Sequence, residues 1–266
     1  MSRLPAAAWR WLLGVWCGIV AAFLVAPSLV VIPLSFSDRA SFRVPPSGWS
    51  MRWYSNLLDD PSWLSAIESS LRVGLLSALV ATVAGTTAAI ALTRSKFRFQ
   101  KFIHSTLLAP MIAPVIILAI GIYYIYIRVG LLGTTIGFVI AHSVLALPLV
   151  LIPVMTSLQG YDRRLDDAAA ICGANNFATF RQITLPLIAP GVAAGAIFAF
   201  ATSFDEVVIS LFIQSPYMQT LPVKMYTSVT REIDPTVAAA GTIILVLSTS
   251  LVILGTYYNL RRNRVN

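Results

Sequence analysis

Apolar runs of about 20 residues, each long enough to cross roughly 30 Å of hydrocarbon as a helix, recur along the chain between short polar links. They occupy residues 11–34, 70–93, 102–127, 134–158, 185–212 and 237–258. This spacing predicts an all-α polytopic bundle of six transmembrane helices, one membrane domain over residues 1–266. The first run follows Arg3 and Arg10, as a secretory leader would. It is longer than a leader core of roughly 7–15 residues, and Pro27 and Pro33 near its end do not make a small-residue cleavage site, so it is read as a true span.

The middle runs carry proline pairs, Pro110 with Pro114, Pro148 with Pro153, and Pro186 with Pro190. Each proline removes a backbone hydrogen bond, and the freed carbonyl needs a neighbouring helix or water, which predicts kinked helices around a cavity. Gly85, Gly121, Gly137, Gly191, Gly195 and Gly241 would let helices approach closely.

Composition strengthens the membrane reading, with 57% hydrophobic and only 11% charged residues against about a quarter charged in soluble domains. The net charge of +8 does not point to nucleic acid, because the basic residues are spread over links beside the spans. Arg3, Arg10, Arg94, Lys96, Arg98, Lys101, Arg163, Arg164, Arg181, Arg261, Arg262 and Arg264 fall on one side of a six-span topology. Arg39, Arg43, Arg52, Arg128, Lys224 and Arg231 fall on the other. Short positive links stay inside, so both termini and the link at 159–186 are expected in the cytoplasm. Cys17 and Cys172 sit in separate contexts and imply neither disulfide nor metal site. His104 and His142 stand alone without ligand spacing. The chain has no Gly-x4-Gly-Lys phosphate loop, so no metal or cofactor is expected in it, and energy from ATP would come from another subunit.

The external segment 37–65 carries Trp49, Trp53, Tyr54 and Trp63. It reads either as an aromatic belt with one short surface helix or as part of a docking surface for an external partner. Glu68 and Arg72, four apart at the entry of the second run, are placed to pair.

The link at 159–186 is the most ordered polar segment and reads as two short helices parted by Gly173. Asp162 or Asp166 suits a helix start, Ala168, Ala169 and Ala170 are strong helix formers, and Asn175 suits the cap of the second helix. Phe177, Phe180 and Ile183 then form an apolar stripe of helical period. Outside the bilayer that stripe needs cover from a partner groove, from the chain's own spans or from lipid headgroups, and the residues alone leave these open.

The order Asp167-Ala168-Ala169, Gly173-Ala174, Phe177, Phe180, Ile183 and Leu185-Pro186 resembles, with its spacing kept, the EAA loop of binding-protein-dependent ABC importer permeases. Asp167 stands where that family usually has glutamate, which keeps the charge and shortens its reach. Residues 108–114, 201–210 and 220–226 are similar to the spermidine/putrescine-type permeases, and the resemblance runs through nearly all of the chain from Ser70 onward. It implies a type I ABC importer permease fold, with these ten loop residues as the ATPase-coupling surface. The implied partners are two ATP-hydrolysing subunits that bind ATP and Mg, a second permease in a heterodimer, and an extracytoplasmic solute-binding protein, with the spans themselves in the lipid of a bacterial inner membrane.

Asp205 and Glu206 lie about twenty residues into the fifth run, which at 1.5 Å per residue puts them near the outer part of the membrane. A charge at mid-bilayer costs on the order of 3 kcal/mol, so with Ser203 they are expected to face water or a pathway. Adjacent helix residues point about 100° apart, so both acids line one cavity only if it is wide or the helix breaks there. They either help receive a cationic solute or form a structural pair bonded to an arginine or a backbone amide. The resemblance implies solute movement without covalent catalysis, for a polyamine first, with an amino acid, an opine-like compound, a sugar phosphate or iron as alternatives. An ion-coupled carrier would use a second polar intramembrane site and internal repeats, neither of which is visible. A non-transport scaffold leaves the loop and the acidic pair without a use.

Overall fold

A computed structural model describes residues 6–94, 98–232 and 234–262, with side chains at 9–94, 98–231 and 234–250. Arg3, Lys96 and Arg264, part of the charge asymmetry, lie outside the described residues, as do the side chains of Arg261 and Arg262. The described chain is helical: α1 (Ala6–Ser35), α2 (Arg52–Asp59), α3 (Pro61–Arg94), α4 (Gln100–Ile112), α5 (Val115–Val129), α6 (Thr135–Gln159), α7 (Arg164–Ile171), α8 (Asn176–Thr179), α9 (Leu185–Asp205), α10 (Val208–Ile213), α11 (Leu221–Thr227) and α12 (Thr236–Arg262). Wider π turns fill Phe180–Thr184 and Ser228–Glu232.

Among the described residues, four helical runs are long and apolar enough to cross a membrane: Trp9–Ser35, α3, α6 and Asn176–Asp205. The third expected span, 102–127, is not one helix. α4 and α5 meet at 103° and count as a single crossing only if taken together. The cause is local, because a proline's ring disfavours the helical conformation of the residue before it, and Ala113 before Pro114 is extended at φ −70°, ψ 138°. At 1.5 Å per residue α4 and α5 span about 20 Å and 22 Å, each short of the hydrocarbon thickness. The sixth expected span falls on α12, of which the apolar part with described side chains, Thr236–Ser250, is too short to qualify alone.

The chain divides into two compact units, one made of 1–64 with 225–266 and the other of 65–224. In the first, α1 packs with α12 and α2 with α12. Trp53 is buried and donates its indole N–H to Ser37 O at 2.7 Å, while Asn56 Nδ2 donates to Thr236 Oγ1 at 2.8 Å. Trp63 is fully buried and Trp49 is exposed. The tryptophans therefore do not form one belt, since two of the three are packed into protein. From Trp9 to Val30, α1 is exposed along its length, which hydrocarbon tolerates because lipid tails are as apolar as leucine.

The second unit is built on α6 against α9, with α3 alongside. Val150 of α6 is seated between two glycines: a β-carbon on Gly85 would come 2.8 Å from Val150 Cβ, and one on Gly195 would come 2.9 Å from Val150 Cα. Such notches replace the missing hydrophobic drive with close van der Waals packing. A second cluster joins α5, α6 and α10 through Ala119, Phe138, Ala141, Ile209 and Ile213. The α5–α6 turn places Gly130 and Gly133 at φ +71° and +65°, and Thr134 caps α6 by accepting from Gly137 N. Glu68 and Arg72 form the expected ion pair, fully on the surface.

Candidate functional site

The patterned loop folds as two helices about Gly173, as its residues predict. Asp162 Oδ1 accepts from Arg164 N at 3.0 Å at the start of α7, and Asp166 and Asp167 occupy the first turn. At the other end Gly173 has φ +84°. Its N–H bonds to Ala170 O, and the Ala174 N–H reaches back to Ala169 O, both at 3.0 Å. This pair of bonds is the Schellman closure, which favours glycine at the left-handed position and brings two small apolar residues together. Here those residues are Ala169, buried, and Ala174, half-buried. The Ala-Ala-x-x-x-Gly-Ala spacing thus has a local physical reason. Asn175 Oδ1 then accepts from Ala178 N at 2.8 Å and caps α8.

α8 continues through the π turn into α9. Leu185 N–H bonds to Phe180 O, five residues back. The widened turn ends directly before Pro186, which has no N–H and whose ring would press on the carbonyl four residues earlier in a regular α-turn. Asp167, Ala168 and Pro186 are exposed, and Phe180, Ile183 and Leu185 are half-buried. The expected stripe is therefore uneven. Phe177 is 70% exposed, and its counterpart across Gly173 is Ile171 at 87%. Ile171 is not among the coupling residues expected from sequence, although its place two residues before the glycine is a usable signal.

A polar cluster that sequence reading also missed anchors this loop. The Arg94 guanidinium, in the last turn of α3, lies 3.1 Å from Asp166 Oδ2 and donates to Thr184 Oγ1 at 2.9 Å. Tyr161 donates to Asp166 Oδ1 at 2.5 Å, and its ring lies under the same guanidinium. Burial, and after it the bond to the Asp166 carboxylate, push the Tyr161 phenol above its ordinary pKa, so it remains a donor at neutral pH. Three segments far apart in sequence are thereby tied at one point: the end of α3, the loop helix and the start of the fifth span. Both ionic partners are partly exposed, at 31% and 25%, so the pair contributes about 1 kcal/mol or less to stability. Its effect is on order. Arg94→Gln is expected to leave overall stability nearly unchanged but to speed amide exchange across α7 by up to about fivefold as local opening becomes easier. Equal exchange in both proteins would show that Arg94 does not hold the loop.

The acidic pair sits at a break in the fifth span. α9 ends at Asp205, Glu206 is extended at φ −75°, ψ 116°, and α10 restarts at Val208. The two carboxylates part company there. Glu206 is 8% exposed and turns back on α10, accepting from Ile209 N and Ser210 N at 3.0 Å each. Asp205 is exposed, and among the described residues its carboxylate has no hydrogen-bond partner. It lines an open cleft of about 710 Å³ with Pro110, Met111, Leu145, Leu149 and Thr202. Asp205 and Glu206 are the only charged groups on that lining among the described residues. Ser203 is buried and bonded to His142 at 2.8 Å, away from the lining. Of the three expected pathway residues, Asp205 faces the cleft freely, Glu206 touches it while capping a helix, and Ser203 supports it from behind.

The chain is 37% identical over 247 residues to the spermidine/putrescine transport system permease protein PotC of Escherichia coli, covering 92% of each. It is 32% identical over 233 residues to the putrescine transport system permease protein PotI of Escherichia coli, covering 84% of this chain and 82% of that one. A bacterial ABC transporter involved in the import of the acidic polysaccharide alginate has a chain of the same fold, with TM-score 0.75 over 97% of this chain and 99% of that chain at 15% identity. The family model for the inner membrane component of binding-protein-dependent transport systems matches residues 81–264. With that match and those relatives, the chain belongs to the family of binding-protein-dependent transport system inner membrane components.

Proposed function

We propose that this permease carries a polyamine such as spermidine or putrescine inward, energised by ATP on a separate subunit through the loop at 167–186. The observation that carries the substrate reading is Asp205, an exposed carboxylate on a cleft whose other walls are mostly apolar. A polyamine alternates ammonium groups with methylene runs, so one carboxylate beside Pro110, Met111 and Leu149 suits it in both respects. The names of the relatives support the same class.

For the coupling reading, the support is the exposure of Ile171 and Phe177 on either side of a hydrogen-bonded turn, with Asp167 and Ala168 exposed beside them. Apolar side chains of this kind outside the bilayer suit a groove on a partner. The partners in this reading are two ATPase copies holding ATP and Mg, a second permease of different sequence, and an extracytoplasmic solute-binding protein. The membrane domain has six spans over 1–266 with both termini cytoplasmic, as the positive charge of the links favours.

Asp205→Asn tests the substrate. In the assembled importer the KM for spermidine is expected to rise at least about tenfold, the loss of one charge-assisted contact of roughly 1.5–3 kcal/mol, with Asp205→Glu much less affected. An unchanged KM would move the reading to a solute without cationic groups.

A further inference from the structure

The break between α9 and α10 is spanned from the side by one residue of α6. His142, two turns into α6 and 1% exposed, has Nδ1 2.8 Å from Ser203 Oγ on α9 and Nε2 3.0 Å from Ser210 Oγ on α10. Glu206 Oε2 is 4.0 Å from the same Nε2, and the Phe138 ring packs 5.8 Å from the imidazole. A neutral imidazole offers one donor and one acceptor nitrogen, and a hydroxyl serves as either, so both bonds form together without a buried charge on the histidine. Ser203 and Ser210 bracket Asp205 and Glu206 in the chain, which makes the imidazole a tie across the break. The Asp205 carboxylate is exposed and has no hydrogen-bond partner among the described residues, so no side-chain bond fixes its direction.

We infer that His142 is a positioning residue for the cleft: by bridging Ser203 and Ser210 it fixes the break at the angle that turns the Asp205 side chain into the cleft. Its importance for uptake rests on the proposed role of Asp205, but the positioning itself is measurable without any solute. In the full chain within its native complex, with Cys17 and Cys172 replaced by serine, a single cysteine is placed by Asp205→Cys or, on another wall of the same cleft, by Met111→Cys. The labelling rate with a water-soluble maleimide is then compared with and without His142→Leu.

Loss of the tie is expected to slow labelling at 205 by about fivefold or more while leaving position 111 unchanged. His142→Gln, whose amide donates and accepts at once, should restore the rate. If His142→Leu does not insert, Ser203→Ala combined with Ser210→Ala removes the same two bonds and is read in the same way. An unaltered rate at 205, or parallel changes at 111 and 205 that mark general loosening, overturns the inference. No solute enters this assay, so its failure is distinct from failure of the polyamine reading, which the Asp205→Asn uptake measurement decides.

Discussion

Gly173→Asp is expected to abolish uptake by the assembled importer while the permease remains inserted and folded. The reason for both halves lies in the turn. Gly173 holds φ +84°, where a side chain costs about 1–2 kcal/mol, and among the described residues a β-carbon there would meet nothing within 4 Å. The strain is local and small against the stability of a bundle, so the amount of permease in the membrane should stay within about twofold of the native level. The new carboxylate, however, stands between Ile171 and Phe177 on the face that we assign to the ATPase. Burying an unpaired charge against an apolar groove costs several kcal/mol, enough to separate nucleotide-driven motion from the spans. Uptake of a labelled solute, normalised to permease measured by immunoblot, checks the prediction. Normal uptake at normal expression would remove the coupling role from this turn. Gly173→Ala introduces the strain without the charge and is expected to keep most of the activity.

Glu206→Ala should instead damage the protein itself. The Glu206 side chain is buried, and its two oxygens satisfy the Ile209 and Ser210 amides at the start of α10. Each amide left without an acceptor costs about 1–3 kcal/mol. The same carboxylate is also placed to favour the positive end of the helix. Thermal unfolding in detergent should therefore show a clear loss for Glu206→Ala and a smaller one for Glu206→Gln, which keeps one acceptor oxygen. Asp205→Asn should unfold close to the native temperature. If Glu206→Ala and Asp205→Asn are equally stable, the two neighbours do not divide their work between structure and solute as we propose.

The contrast between these residues shows where sequence reading stops. Gly173 and Asn175 were legible because a Schellman turn and a helix cap are closed by residues within six positions of each other, and the local pattern contains both partners. Pro114 was legible as an interruption, but not as a turn of 103° between two half-length helices. The extended conformation it imposes on Ala113 determines that outcome. The break at Glu206 has no proline or glycine to announce it. It depends on a side chain folding back onto the next helix and on His142, more than sixty residues earlier in the chain. In the sequence Arg94 is one positive charge among many, because its partners Asp166 and Thr184 come from segments that only folding brings together. Residues whose role is local could be read in order. Those whose role is to join distant elements could not.

Gentle detergent extraction from the native membrane, followed by mass spectrometry of the chains that stay attached, tests most directly that this permease is driven through its loop by a separate ATPase. An ATPase carrying a phosphate loop and a second multi-span permease should co-purify with the native chain, and solute uptake should fail when ATP is depleted. Recovery of this chain alone, with uptake that survives ATP depletion and collapses with the ion gradient, would contradict it.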